Sequence, residues 1–207
     1  MNISKILVLI ICVCGMGISY GQEISIPEEV DGVYLGMPVE ELLTKRPALR
    51  QRLLSDPEWM AGKRGEVLIE NLPSNPRFDS VLFVFSDKRL VGLMFYMVSE
   101  DSKQILARRK LIYNHCATRF GKTHKREVGT LEGKSKRPKR VAALSWEKSN
   151  GGAYLFMPQS SAAKSPKAIL MLVSTTAKQK VLDSFEKEDI TDAEKKEIFK
   201  SVGAGND

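Results

Sequence analysis

Histidine is nearly missing from this chain, with two among 207 residues, and cysteine is scarce, with three. Cys12 and Cys14 fall in the apolar opening stretch, so the rest of the chain carries Cys116 alone and has no partner for an internal disulfide. His115 and His124 fall short of the four ligands that structural zinc normally takes. His115 and Cys116 are neighbours, which on a helix turns them about 100° apart and argues against a catalytic dyad. After residue 21 no Gly-x-Ser-x-Gly elbow occurs. The carboxylate pairs Glu28/Glu29 and Glu40/Glu41 read as loop and helix-start charges. The expectation is a chain with no catalytic residues, no metal and no cofactor. The alternative is a hydrolase-like enzyme whose site is assembled from loops.

Long apolar runs are also lacking. The longest, Ile6–Ile18, follows Lys5 and ends in Ser19-Tyr20-Gly21. A membrane span needs about 20 apolar residues. A single positive charge, a short apolar core and a small-residue exit describe a secretory signal peptide over residues 1–21. About 186 residues follow, enough for one domain with a real core. No Asn-x-Ser/Thr acceptor stands after residue 21, which fits a bacterial envelope, periplasmic or secreted. The expected organisation is the signal peptide at 1–21, one α+β domain at 22–177, and a charged helical or disordered tail at 178–207.

The remaining sequence alternates between strand and helix signals. Glu66–Leu72, Phe78–Phe85, Leu90–Val98, Arg140–Lys148, Gly152–Met157 and Lys167–Ser174 are short apolar runs rich in β-branched and aromatic residues. Asn150-Gly151 is a strong hairpin signal between the fourth and fifth of them. Val81, Phe83 and Phe85 share one strand face and Leu82 and Val84 the other, so the hairpin they belong to is apolar on both sides. A helix runs from Ser99 or Asp101 to Gly121, with Ile105, Ile112, Cys116 and Phe120 on one face. Thr191-Asp192-Ala193-Glu194 is a capping box that starts a short helix near the end. These elements predict an antiparallel sheet of about five to six strands with two helices on one face, two topologically similar helix-then-strands halves and a short C-terminal helix.

Gly32-Val33-Tyr34-Leu35-Gly36-Met37-Pro38-Val39-Glu40-Glu41-Leu42 begins this order. Gly36 permits a turn, Pro38 suits a helix start, and the two glutamates face the positive end of the helix dipole. The stretch resembles the opening G-x-x-L-G-M-[ST]-x-x-E-[VL] of exported bacterial α/β repeat domains. These are small outer-membrane assembly lipoproteins of the SmpA/OmlA type and domains of the β-lactamase-inhibitor-like fold. Arg119-Phe120-Gly121-Lys122 is similar to the helix exit common in that group. Pro38 stands where Ser or Thr is usual there. The resemblance implies a non-enzymatic binding or assembly module of the envelope.

Two surfaces stand out as sites. Between Lys103 and Arg140 the chain carries thirteen Lys/Arg and two acids, whereas from Lys178 onward it has six Lys and eight acids. Lys125, Arg126, Lys134, Lys136, Arg137, Lys139 and Arg140 form the densest part, a docking site for an anionic envelope component or an acidic protein partner. Residues 122–140 contain no aromatic residue, which argues against nucleic acid. The second surface is apolar. Phe83, Phe85, Met94, Phe95, Tyr96, Met97, Trp146, Tyr154, Phe156 and Met157 exceed what one covered sheet face needs. The expectation is a partner-binding sheet face around Trp146 and Tyr154.

Overall fold

The computed structural model describes residues 24–54, 67–99, 101–122, 124–131, 139–159, 166–183 and 185–204. The expected signal peptide therefore lies outside the described residues.

The opening motif behaves as its residues dictate. Gly36 takes φ +92°, a conformation that a Cβ would strain. Met37 is fully buried, and Pro38 bridges to Arg89 at the start of a strand. Helix α1 (Val39–Lys45) follows and buries Leu42 and Leu43. Pro47 does end it, but also begins a second helix, α2 (Pro47–Leu54). Proline's fixed φ and missing N–H suit that first position.

One antiparallel sheet organises the rest. Its strands are β1 (Val67–Asn71), β2 (Ser80–Ser86), β3 (Arg89–Met97), β4 (Lys125–Leu131), β5 (Lys139–Lys148), β6 (Gly151–Pro158), β7 (Ala168–Ser174) and β8 (Phe185–Lys187). Their order across the sheet is β1-β2-β3-β7-β6-β5-β4-β8. The turn between β2 and β3 is tighter than a four-residue loop. Asp87 and Lys88 both have positive φ, as a two-residue hairpin turn matching the strand twist requires.

Eight strands among the described residues correct the expectation of five to six. The two not anticipated are β4 and β8, both rich in charge. In β4, Val128 is buried, while Lys125 is exposed and the other side chains, glycine apart, are half-buried. A strand near the sheet margin carries charge because water still reaches it.

Helix α3 (Ser102–Phe120) starts at Asp101, whose Oδ1 accepts from the Lys103 N–H at 2.9 Å. It buries Ile112, Cys116 and Phe120 on one sheet face, together with Leu42, Val81, Phe83, Phe95, Leu144 and Leu170. Helix α4 (Thr175–Asp183) lies on the opposite face, where Val181 joins Tyr154, Phe156, Met171 and Val173. The helices thus cover both faces, which corrects the expected placement on one. Both faces of β6 are buried at every position, so each needs a cover.

The tail is part of the fold. Phe185 of β8 sits opposite Leu131 of β4. Helix α5 (Asp192–Ser201) begins with the expected capping box and sends Ile198 and Phe199 into the first core. Val202 and Ala204 follow them there. Among the described residues no helix is long and apolar enough to cross a membrane.

Candidate functional site

The basic residues come first. Lys134, Lys136 and Arg137 lie outside the described residues, and Lys139 pairs through its backbone position with Leu131. Strand alternation divides the others: Lys125 points to the α4 face, and Arg126 and Arg140 to the α3 face. Each meets a partner within the molecule. The Lys125 ammonium lies 3.5 Å from Glu147 Oε1, and Glu147 also takes Lys178 at 2.6 Å. These lysines hold the Glu147 carboxyl below its ordinary range, the hydrogen bond from Lys178 being the larger influence. The Arg126 guanidinium sits 5.6 Å from the Phe199 ring centroid and donates to His124 Nε2. Arg140 pairs with Glu188 at 2.8 Å. The contrast in charge meets in one place: Arg140 of β5 receives Glu188, just past β8, whereas Lys187 of β8 pairs in the opposite sense with Glu127 of β4.

Trp146 and Tyr154 do not share a face. The hairpin register sets Trp146 opposite Ala153 and Tyr154 opposite Ser145, so their side chains point to opposite sides of the sheet. Trp146 is buried under α3, with its indole N–H donating to the Gly121 carbonyl at 2.7 Å and its ring against Phe120 and His124. Tyr154 is buried beneath α4, stacked on Phe156. Burial, helped by the charge on Glu147, pushes its phenol up to about 12. Neither side chain is available at the surface. The signal was present in the sequence: with the turn at Ser149-Asn150, counting outward makes 146 and 154 opposite in parity.

The two histidines and the cysteine have structural surroundings. The Cys116 thiol is fully buried, and burial raises its pKa far above the ordinary thiol range, which suppresses the thiolate. His115 Nδ1 accepts from the Arg77 guanidinium at 3.0 Å, which leaves the neutral ring's proton on Nε2. Burial and the Arg77 charge lower its pKa. Arg77 also binds Glu29 at 2.6 Å, and that carboxylate side chain is 1% exposed. Burial opposes the Glu29 charge, but its own backbone N–H, Arg77 and Asn75 outweigh it and the pKa is lowered. Arg119 reaches Glu28 and the Ile26 carbonyl. The cluster fastens the segment around Glu28–Val30 to α3 and to the loop before β2. His124 is likewise occupied, with Nδ1 donating to the Lys122 carbonyl at 2.7 Å and Nε2 accepting from Arg126. Among the described residues no group of three His, Cys, Asp or Glu is placed to hold a metal ion.

A different surface emerges on the α4 side of the sheet. One row of side chains runs Ile69, Leu82, Met94, Met171, Tyr154 across five strands, and the next runs Val67, Val84, Gly92, Val173. The β6–β7 end of both rows lies in the cluster that includes Val181 of α4. The β1–β2 end does not: Val67 and Ile69 are 41% and 50% exposed, and Leu82 and Val84 are half-buried. Where the two regions meet, a cavity of about 250 Å³ opens beside α4, lined chiefly by Val84, Val91, Met94, Met171, Val173 and Ala177. Among the described residues no charged side chain lines it. A wider depression of about 780 Å³ adjoins it at Ser86, Val91 and Thr176, and there Asp87, Arg89 and Asn150 supply polarity.

Compared with family models, curated proteins and solved structures, the chain matches none.

Proposed function

We propose that this chain is an exported binding or assembly module of the bacterial envelope, and that its working surface is the apolar β1–β3 region on the α4 side of the sheet. The observation that carries this reading is the pair of continuous apolar rows, buried under α4 at one end and open at the other. A contiguous, uncharged apolar patch beside a groove marks an interaction site on a soluble domain. Export is supported by the leader-like residues 1–21 and by the resemblance of Gly32–Leu42 to exported envelope domains. The described part of the basic segment is less suited to the task, since Lys125, Arg126 and Arg140 already have partners in the molecule. Capture of envelope proteins from an extract at low and at high salt tests the reading. Apolar docking predicts capture that holds or strengthens as salt rises. Capture that collapses with salt would assign the interaction to the basic segment instead.

A further inference from the structure

We infer that the cluster around His115 is an acid-sensitive latch, in which protonation of that imidazole frees residues 24–33 from α3 while the sheet stays folded. The inference is independent of the docking reading above and concerns the opposite face of the sheet.

Geometry makes the latch depend on a neutral ring. Arg77 donates to His115 Nδ1 at 3.0 Å, and a guanidinium has no acceptor to offer in return. Protonation turns Nδ1 into a donor, so two N–H groups and two positive charges then face each other. Before protonation the charges around the ring balance. Glu28 and Glu29 come from the 3-10 turn, Arg77 from the loop before β2, and Arg119 from α3 one turn past His115. Arg108, also on α3, reaches the Arg77 carbonyl and is paired separately with Asp79. An imidazolium changes two cations against two carboxylates into three against two. Those carboxylates are already engaged, Glu29 by Arg77 at 2.6 Å and Glu28 by Arg119. His115 Nε2 is buried with no hydrogen-bond partner among the described residues, so the second ring N–H does not relieve the surplus. Salt screens charges in such partly buried surroundings poorly.

What the latch holds is otherwise lightly fastened. Backbone hydrogen bonds here stay within the segment, from the Val30 N–H to Pro27, from Asp31 to Glu28 and from Val33 to Val30. Buried Ile24, Val30 and Val33 tie it to the core, and exposed Lys45 donates to the Gly32 carbonyl. The Ile26 carbonyl accepts from Arg119, which belongs to the latch itself. A segment with so few ties opens at a lower free energy than the whole fold. Its release also reshapes the surface. Ile24, Ser25, Ile26 and Val33 line the depression of about 780 Å³, so acid would remove part of its wall.

Cys116 reports the opening. It is fully buried beside His115, near enough to Glu29 and Arg77 for their charges to act on its thiol. In the full chain carrying Cys12→Ser and Cys14→Ser, this thiol is trapped with a dipyridyl disulfide, which reacts in mild acid. Each rate is divided by that of the urea-unfolded chain at the same pH. Hydrogen exchange, corrected for the intrinsic rate at each pH, locates the opening. A released imidazole takes its proton near the ordinary value of about 6.5, so normalised trapping should rise about tenfold from pH 7.5 to pH 5.5. Exchange should accelerate in residues 24–33 and not in β6 or β7. His115→Gln, whose carbonyl can still accept from Arg77, should show neither change. An equal rise in His115→Gln would overturn the latch, as would β6 and β7 exchanging in step with the segment. Flat trapping in the wild type would overturn it too, and would point to the unpartnered Glu29 Oε2 as an acceptor for the imidazolium. If His115→Gln does not fold, ring NMR of the wild type decides. His115 titrating together with exchange of residues 24–33 supports the latch, and His115 titrating without it overturns the latch.

Discussion

On the α4 side of the sheet, the side chains of β6 are buried whereas those of β1, Val67, Ile69 and Asn71, are exposed. The difference lies in what the chain brings back over them. After β7 it turns into α4, then returns Phe185 against Phe156 at 5.9 Å between ring centroids. Glycines make the room: a Cβ at Gly129 would strike the Glu186 carbonyl and come within 2.7 Å of the Phe185 ring. A Cβ at Gly152 would enter the Tyr154 ring. Over β1 and β2 the described chain returns nothing comparable. One region of the face is thus closed by design of the sequence, and the other is apolar without a cover from the described residues.

Substitutions at matched depth should separate the two regions. Phe156→Ala in the closed region should cost about 3–5 kcal/mol, because it empties space that α4 and Phe185 hold in place. Chemical denaturation reads this directly. Gly129→Val should cost about 1–3 kcal/mol through overpacking, and should release β8 so that proteolysis cuts near residue 184 before it cuts elsewhere. If the tail stays protected in that variant, Gly129 is not what admits it.

Acid should loosen the opposite face first, at the clasp of Glu28, Glu29, Arg77, His115 and Arg119. His115 has a lowered pKa when folded, so the unfolded chain takes up its proton first. Stability is then complete above the unfolded value of about 6.5 and declines as pH falls through it toward the folded value. Glu29, also lowered, adds a second loss as pH falls below about 4.3 and toward its folded value. Thermal midpoints measured against pH should show the first decline in the wild type and a flatter profile in His115→Gln. Smallest of all, Leu82→Ser in the open region should change stability by less than about 1 kcal/mol, since a half-buried position leaves no closed cavity.

How far the sequence disclosed this arrangement depends on the element. Six strands announced themselves by short apolar runs, most of them bounded by turn residues, and α3 by its cap and its Ile112, Cys116, Phe120 stripe. Strand β4 did not, because Lys125, Arg126 and Glu127 read as a basic segment when charge is counted before alternation. Strand β8 has three residues and draws its stability from Gly129, Phe156 and Arg140, far away in sequence. Helix α4 was hidden for the same reason: its few apolar residues matter only because Tyr154 and Met171 wait beneath them. The apolar surplus was legible as composition. Its division between two faces follows from the hairpin register, which sets Trp146 and Tyr154 on opposite sides.

Capture from envelope extract with two variants side by side separates the open sheet face from the basic segment. One carries Leu82→Lys in the open sheet region, and the other carries Lys125→Gln, Arg126→Gln and Arg140→Gln together. Leu82→Lys should abolish capture while remaining folded, and the triple variant should capture as the wild type does. Loss of capture in the triple variant with Leu82→Lys unaffected would contradict docking on the open face.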